Sequence, residues 1–163
     1  MSYGYGILLT PLQILSFYNG IANNGEMVKP TFLESTSKLG STNFYEFKKE
    51  IINPSICSKK TLSIVQKMLL DVIHHKNGTA KNIKSEHIKI AGKTGTAQIG
   101  YGTDEINYIS SFVGYFPADQ PKYSCIVVIN SPNKDMGYYG SDVAAPVFKR
   151  IAEKISSRFP TIE

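Results

Sequence analysis

The strongest constraint on this chain is a change of hydrophobic period in its second half. His87 to Ile99, Tyr108 to Phe116 and Tyr123 to Asn130 are rich in Ile, Val, Tyr and Phe, the residues that fit a pleated surface. Pro117-Ala118-Asp119-Gln120-Pro121 separates the last two and predicts a hairpin. Strands of this kind need a layer to cover them, and the rest of the chain reads largely as helix. The expected class is α/β (α+β), an antiparallel sheet backed by helices.

The helices announce themselves by their ends. Thr10-Pro11-Leu12-Gln13 places a capping hydroxyl, a first-position proline and a glutamine able to return the capping bond. Leu12, Leu15, Tyr18, Ile21 and Ala22 recur at helical spacing, and Asn23-Asn24-Gly25 supplies a left-handed stop, so a helix is predicted over about Pro11 to Asn23. Ser58 caps a second, with Leu62, Val65, Leu69 and Ile73 on one stripe and its end at Asn77-Gly78. Gly140-Ser141-Asp142 opens a last helix with Pro146 in its first turn and Val147, Ile151 and Ile155 on the buried face, until Pro160 stops it. Val28 to Ile52 has no sustained period and reads as short strands and a turn.

In 163 residues nothing repeats and no low-complexity tract marks a linker, so residues 1–163 are read as one domain or part of a larger one. No apolar run approaches the ~20 residues that cross a bilayer, and Met1 to Gly6 has no basic segment of the kind that opens a signal peptide. No membrane contact from this chain is expected. Cys57 and Cys125 permit at most one disulfide and are read as buried or half-buried free thiols, with no metal site. Of the net +5, Lys48 to Lys93 holds ten lysines against Glu50, Asp71 and Glu86. Nucleic-acid binding would call for interleaved arginines and aromatic platforms, yet the arginines are Arg150 and Arg158 alone. A solvated lysine face is the expectation, with a weaker reading as a positive field leading an anionic substrate toward Lys93.

Ala91-Gly92-Lys93-Thr94-Gly95-Thr96-Ala97-Gln98 carries the chemistry. As a phosphate-binding loop it fails, because His87 stands where the first glycine is required and a strand follows instead of a helix. The alternative is the lysine-threonine-glycine element of the penicillin-interacting serine enzymes. An edge strand can pair with an extended peptide, and Gly95 leaves room for it. Lys93 brings fixed positive charge, the Thr94 and Thr96 hydroxyls suit a carboxylate, and the Thr96 N–H suits a developing oxyanion.

Three more segments accompany it: Gly6 to Gly25 (GILLTPLQILSFYNGIANNG) with Val28-Lys29-Pro30, then Asn77-Gly78-Thr79-Ala80, and Ser111 to Pro117 (SFVGYFP) followed by Cys125 to Ile129. With them the chain resembles, from about Gly4 to Ile155, the class B penicillin-binding proteins. The Thr10 to Gly25 and Ala144 to Phe148 helices look most like the division-specific branch. The resemblance implies a partial serine β-lactamase/transpeptidase-like fold, with Lys93, Thr94, Gly95 and Thr96 as site residues. It implies no cofactor. The implied partners of the complete protein are the peptidoglycan stem peptide and β-lactams, on the periplasmic side of the inner membrane.

The resemblance also implies an earlier Ser-x-x-Lys and Ser-x-Asn. Ser35-Thr36-Ser37-Lys38 and Ser41-Thr42-Asn43 have those spacings. Both are rejected, since they lie six residues apart in a polar, loop-like stretch downstream of the Thr10 helix, where the family has them upstream. The chain is therefore expected to be the C-terminal part of a transpeptidase domain and inactive alone. A serine β-lactamase or D,D-carboxypeptidase, and a non-catalytic β-lactam sensor or binding module, are the rival readings. Other candidates are read as structural: His74 and His75 as surface residues ending a helix, His87 as the start of a strand, Asp104 and Glu105 as loop carboxylates, and Tyr101, Tyr138, Tyr139 and Gly140 as packing or cleft-lining residues. Tyr123 to Asn130, an apolar strand without lysine or proline inside it, is expected to self-associate into a homodimer or aggregate.

Overall fold

The computed structural model describes residues 7–37, 44–100 and 106–159. Helix α1, Pro11–Ala22, begins in the predicted capping box: Gln13 Oε1 accepts from the Thr10 N–H at 2.8 Å, and Thr10 Oγ1 accepts from the Gln13 N–H at 3.3 Å. Asn24 (φ 53°) and Gly25 (φ 90°) turn the chain out of it. Leu12, placed on the buried stripe by its spacing, is exposed, while Ser16, Gly20 and Ile21 are buried.

The irregular segment forms two small antiparallel ribbons, one inside the other. Strand β1 (Met27–Val28) pairs with β4 (Ile51–Asn53), and β2 (Ser35–Ser37) pairs with β3 (Phe44–Glu46). Ser35 to Ser37, expected in a loop, are thus in a strand, and all three are exposed. Helix α2, Lys59–His74, starts at Ser58, whose Oγ accepts from the Thr61 N–H, and buries Leu62, Leu69 and Ile73. It ends at His74 with His75 as cap, short of Asn77-Gly78.

Strands β5 (Ala91–Ile99), β6 (Asn107–Phe116) and β7 (Tyr123–Asn130) form an antiparallel sheet in that order. Gly95 lies opposite Ser111 across β5 and β6, and Phe116 opposite Tyr123 across the predicted hairpin. β5 begins four residues later than the pattern suggested. Ile88 and Ile90 are buried while His87 and Lys89 are exposed, so the alternation is real. β6, however, ends at Phe116, and beyond it the backbone bond to this stretch runs from the Ala118 N–H to the Lys89 carbonyl.

Because side chains alternate across a strand, the sheet sorts its residues onto two cores. Phe112 and Phe116 join Ile73, Ala80, Ile83, Ile88, Ile90, Phe148 and Ala152, with Cys125, Val127 and Ile129 packed against them. Ala91 and Tyr115 face the other way, with Ile21, Leu62 and Leu69. The final helix is split: α3 (Gly140–Val143) gives way at Ala144 to α4 (Ala145–Arg158). Its buried face is Ala145, Phe148 and Ala152 with Ile155 beside them, whereas Val147 and Ile151 are only half-buried. The new start at Ala145 turns Phe148 inward, between Phe112 (centroids 4.8 Å apart) and Phe116 (5.7 Å), and the alanines let the helix lie close. Cys57 and Cys125 are free and half-buried as expected, and burial pushes the Cys125 thiol up. Among the described residues no helix is long and apolar enough to cross a membrane.

Candidate functional site

Lys93, Thr94, Gly95 and Thr96 lie in mid-strand on β5, whose only ladder partner among the described residues is β6. Among the described residues the strand therefore presents an edge. Alternation sends Thr94 and Thr96 to the α4 side and Lys93 to the other. The lysine bends back to bridge that separation: Nζ donates to the Thr94 carbonyl at 2.9 Å and to Thr94 Oγ1 at 3.2 Å. The positive charge thus rests beside the Thr94 hydroxyl, and Lys93 is exposed.

A second hydroxyl reaches the same place. Thr79 Oγ1 lies 3.4 Å from Thr94 Oγ1. It belongs to the turn after α2, where the Ala80 N–H donates to the Val72 carbonyl at 2.9 Å and fully buried Ala80 anchors the turn. Gly78 lies so close to the helix end that a Cβ there would be 2.4 Å from the Val72 carbonyl oxygen. The sequence marks this segment only through the family resemblance and does not assign Thr79 to the site. No local signal marks it, because the contact spans 15 residues.

Thr96 is met by the start of α3. The Gly140 N–H donates to Thr96 Oγ1 at 3.0 Å, and Gly140 lies on the backbone of β5 and β6. A Cβ at Gly140 would be 2.4 Å from the Ser111 carbonyl oxygen and 2.6 Å from that of Gly95. Tyr138 stacks on Tyr108 (centroids 4.1 Å apart, 17° between planes), and its hydroxyl donates to that of exposed Tyr139 at 3.2 Å. Gly95 has a neighbour too: the room a Cβ would take is held by Ser111 Oγ, at 2.5 Å.

Among the described residues, the remaining candidates do not join this cluster. Neither Ser35 nor Ser37 opens a helix, and Lys38, Ser41, Thr42 and Asn43 lie outside the described residues, as do Tyr101, Asp104 and Glu105. Ser131 to Lys134 also has the Ser-x-x-Lys spacing, but Ser131 leaves β7 with φ 48° and the short 3-10 turn that follows begins at Lys134. His75 is exposed and its Nδ1 accepts from the Asn77 N–H at 3.2 Å. His74, read as a surface residue, is instead half-buried, and its Nε2 is enclosed without a partner because it faces back into the protein at the end of α2. His87 stands exposed in the extended stretch before β5, not in the strand. All ten lysines from Lys48 to Lys93 are exposed; Lys49 is ion-paired with Glu26 and Lys89 with Asp119.

Residues 1–153 match the penicillin binding protein transpeptidase domain. The peptidoglycan D,D-transpeptidase FtsI of Buchnera aphidicola subsp. Baizongia pistaciae is 35% identical over 157 residues, covering 95% of this chain and 26% of that protein. The chain thus spans about a quarter of the length of this curated relative. Among solved structures, apo penicillin binding protein 3 of Mycobacterium tuberculosis superimposes with TM-score 0.80 at 29% identity, over 97% of this chain and 37% of that one. Its complex with aztreonam gives 0.76 at 28% identity, over the same shares. The matched span, the β5 element and the sheet backed by helices agree: this chain belongs to the penicillin-binding transpeptidase domain family, on its class B, division-type branch.

Proposed function

We propose that residues 1–163 are the C-terminal part of a transpeptidase domain and carry the carboxylate- and oxyanion-binding side of its site. The reading is supported chiefly by the arrangement on β5, where Lys93 Nζ lies 3.2 Å from Thr94 Oγ1 and the Gly140 N–H meets Thr96 Oγ1 at 3.0 Å. Both threonine oxygens accept from a nitrogen donor. A hydroxyl has one hydrogen to give: that of Thr96 is available to an anion, and that of Thr94 can go to an anion or to Thr79 Oγ1, 3.4 Å away.

In the complete protein a serine oxygen attacks the carbonyl of the penultimate D-alanine of a stem peptide. The C–N bond breaks and the terminal D-alanine leaves with a proton. An amine of a neighbouring stem peptide then attacks the ester, forms the new amide and releases the serine. On β5, Thr94 and Thr96 hold the terminal carboxylate, Lys93 balances its charge, and the Thr96 N–H receives the carbonyl oxygen as negative charge develops. A β-lactam enters the same way and stays as the acyl-enzyme. The aztreonam complex of the Mycobacterium tuberculosis relative supports that part of the reading. The site would face the periplasm.

The test uses a fluorescent penicillin. This chain alone is expected to form no adduct, and labelling mapped to Ser35, Ser41 or Ser131 would overturn the assignment. In the complete protein, Lys93→Ala should slow acylation about a hundredfold or more, the scale of losing a charge-stabilising contact. Its melting temperature should stay close to the parent's, since the side chain is exposed. Equal losses of acylation and stability would remove Lys93 from the site.

A further inference from the structure

Thr96 has a cross-strand neighbour that the proposed chemistry leaves unused. Ser110 lies directly opposite it in the β5–β6 ladder, is fully buried, and donates its hydroxyl hydrogen to the Tyr138 carbonyl. Two residues beyond that carbonyl, the Gly140 N–H donates to Thr96 Oγ1. One cross-strand pair therefore holds both ends of the Tyr138 to Gly140 segment, each partner through a side-chain bond to backbone. The Tyr108–Tyr138 stack and the bond from Asn82 Nδ2 to the Ser141 carbonyl, 2.9 Å, brace its flanks.

The arrangement has a direction. Ser110 places a carbonyl, the carbonyl places Gly140, and Gly140 occupies an acceptor position of the Thr96 oxygen. With that position filled by an N–H, the Thr96 hydroxyl hydrogen is turned outward as a donor. Gly140 itself offers no route to a test by substitution, because any Cβ would collide with the Ser111 and Gly95 carbonyls.

We infer that Ser110 is a positioning residue, acting through the Tyr138–Gly140 backbone to set Thr96 as a hydrogen-bond donor to the substrate carboxylate. The inference rests on the reading of β5 given above. In the complete protein, Ser110→Ala should lower the second-order rate of acylation by a carboxylate-bearing β-lactam about three- to tenfold, the worth of one hydrogen bond. Ser110→Thr, which keeps the hydroxyl, should recover most of it. Thr96→Val should lower the rate at least as much, and adding Ser110→Ala to it should lower the rate no further, since residues acting through one contact are not additive.

A second measurement needs no catalysis. In this chain alone, hydrogen exchange at the Gly140 amide should speed up in Ser110→Ala and return toward the parent rate in Ser110→Thr. If Ser110→Ala does not fold, Ser110→Cys, with its weaker donor, carries the same comparison. Effects of Ser110 and Thr96 that multiply, or a Gly140 amide indifferent to Ser110, would overturn the relay while leaving the β5 reading intact. A Thr96→Val protein that acylates at the parent rate would overturn the β5 reading and the relay with it.

Discussion

At the scale of single residues, burial and hydrogen-bond direction decide what each side chain does. Tyr115 shows how a buried polar residue ties stability to pH. It is nearly fully buried, and burial pushes its phenol up to about 12 because the phenolate is poorly solvated there. In the unfolded chain the same group ionises near 10. Between those values the folded state holds a proton that the unfolded state has lost, so stability is full below pH ~10 and falls as pH rises toward 12. Urea midpoints taken from pH 9 to 12 should decline, and more gently in Tyr115→Phe. Identical slopes would show that Tyr115 is not held neutral by the fold.

At the scale of elements, the site depends on how α2 ends. The helix stops at His74, and the chain returns across its last carbonyls so tightly that only Gly78 fits, which brings Thr79 to Thr94. Gly78→Ala would drive a methyl against backbone on a packed helix end, with no flexible side chain to yield. It should destabilise the fold by about 1–3 kcal/mol, the cost of overpacking, measured as a fall in melting temperature. An unchanged melting temperature would mean that the turn has slack and that the Thr79 contact is not fixed by it. The starts of α1 and α2 and the stop of α1 were plain in the sequence, since Thr10, Gln13, Ser58 and Asn24-Gly25 act within a few residues, whereas α2 stops at His74, before the predicted Asn77-Gly78. The burial of α4 was not, because spacing alone makes Val147, Ile151 and Ile155 as good a stripe as Ala145, Phe148 and Ala152. The packing of Phe148 between Phe112 and Phe116 chose the second.

At the scale of the whole molecule, β7 is open on one side among the described residues, so its backbone groups are available to another strand. Association of this chain through Tyr123–Asn130, as a homodimer or aggregate, remains the expectation for the isolated polypeptide. The structure selects the probe. Val127 packs against the core beneath α4, so a lysine there would disturb folding, whereas Val128, equally half-buried, points to the opposite face, away from that core. Val128→Lys should shift light scattering toward monomer with little change in stability. A monomer at high concentration, with or without the lysine, would show the edge to be covered some other way. The sequence by itself determined what depends on near neighbours: the caps, the periods, the hairpin, and the placing of Lys93 to Thr96 on a strand. Only the tertiary structure decided which groups join them. Thr79 reaches Thr94 across 15 residues and Gly140 reaches Thr96 across 44, both by close backbone packing against glycine. Such contacts leave no trace in local pattern, because they depend on where whole elements come to rest.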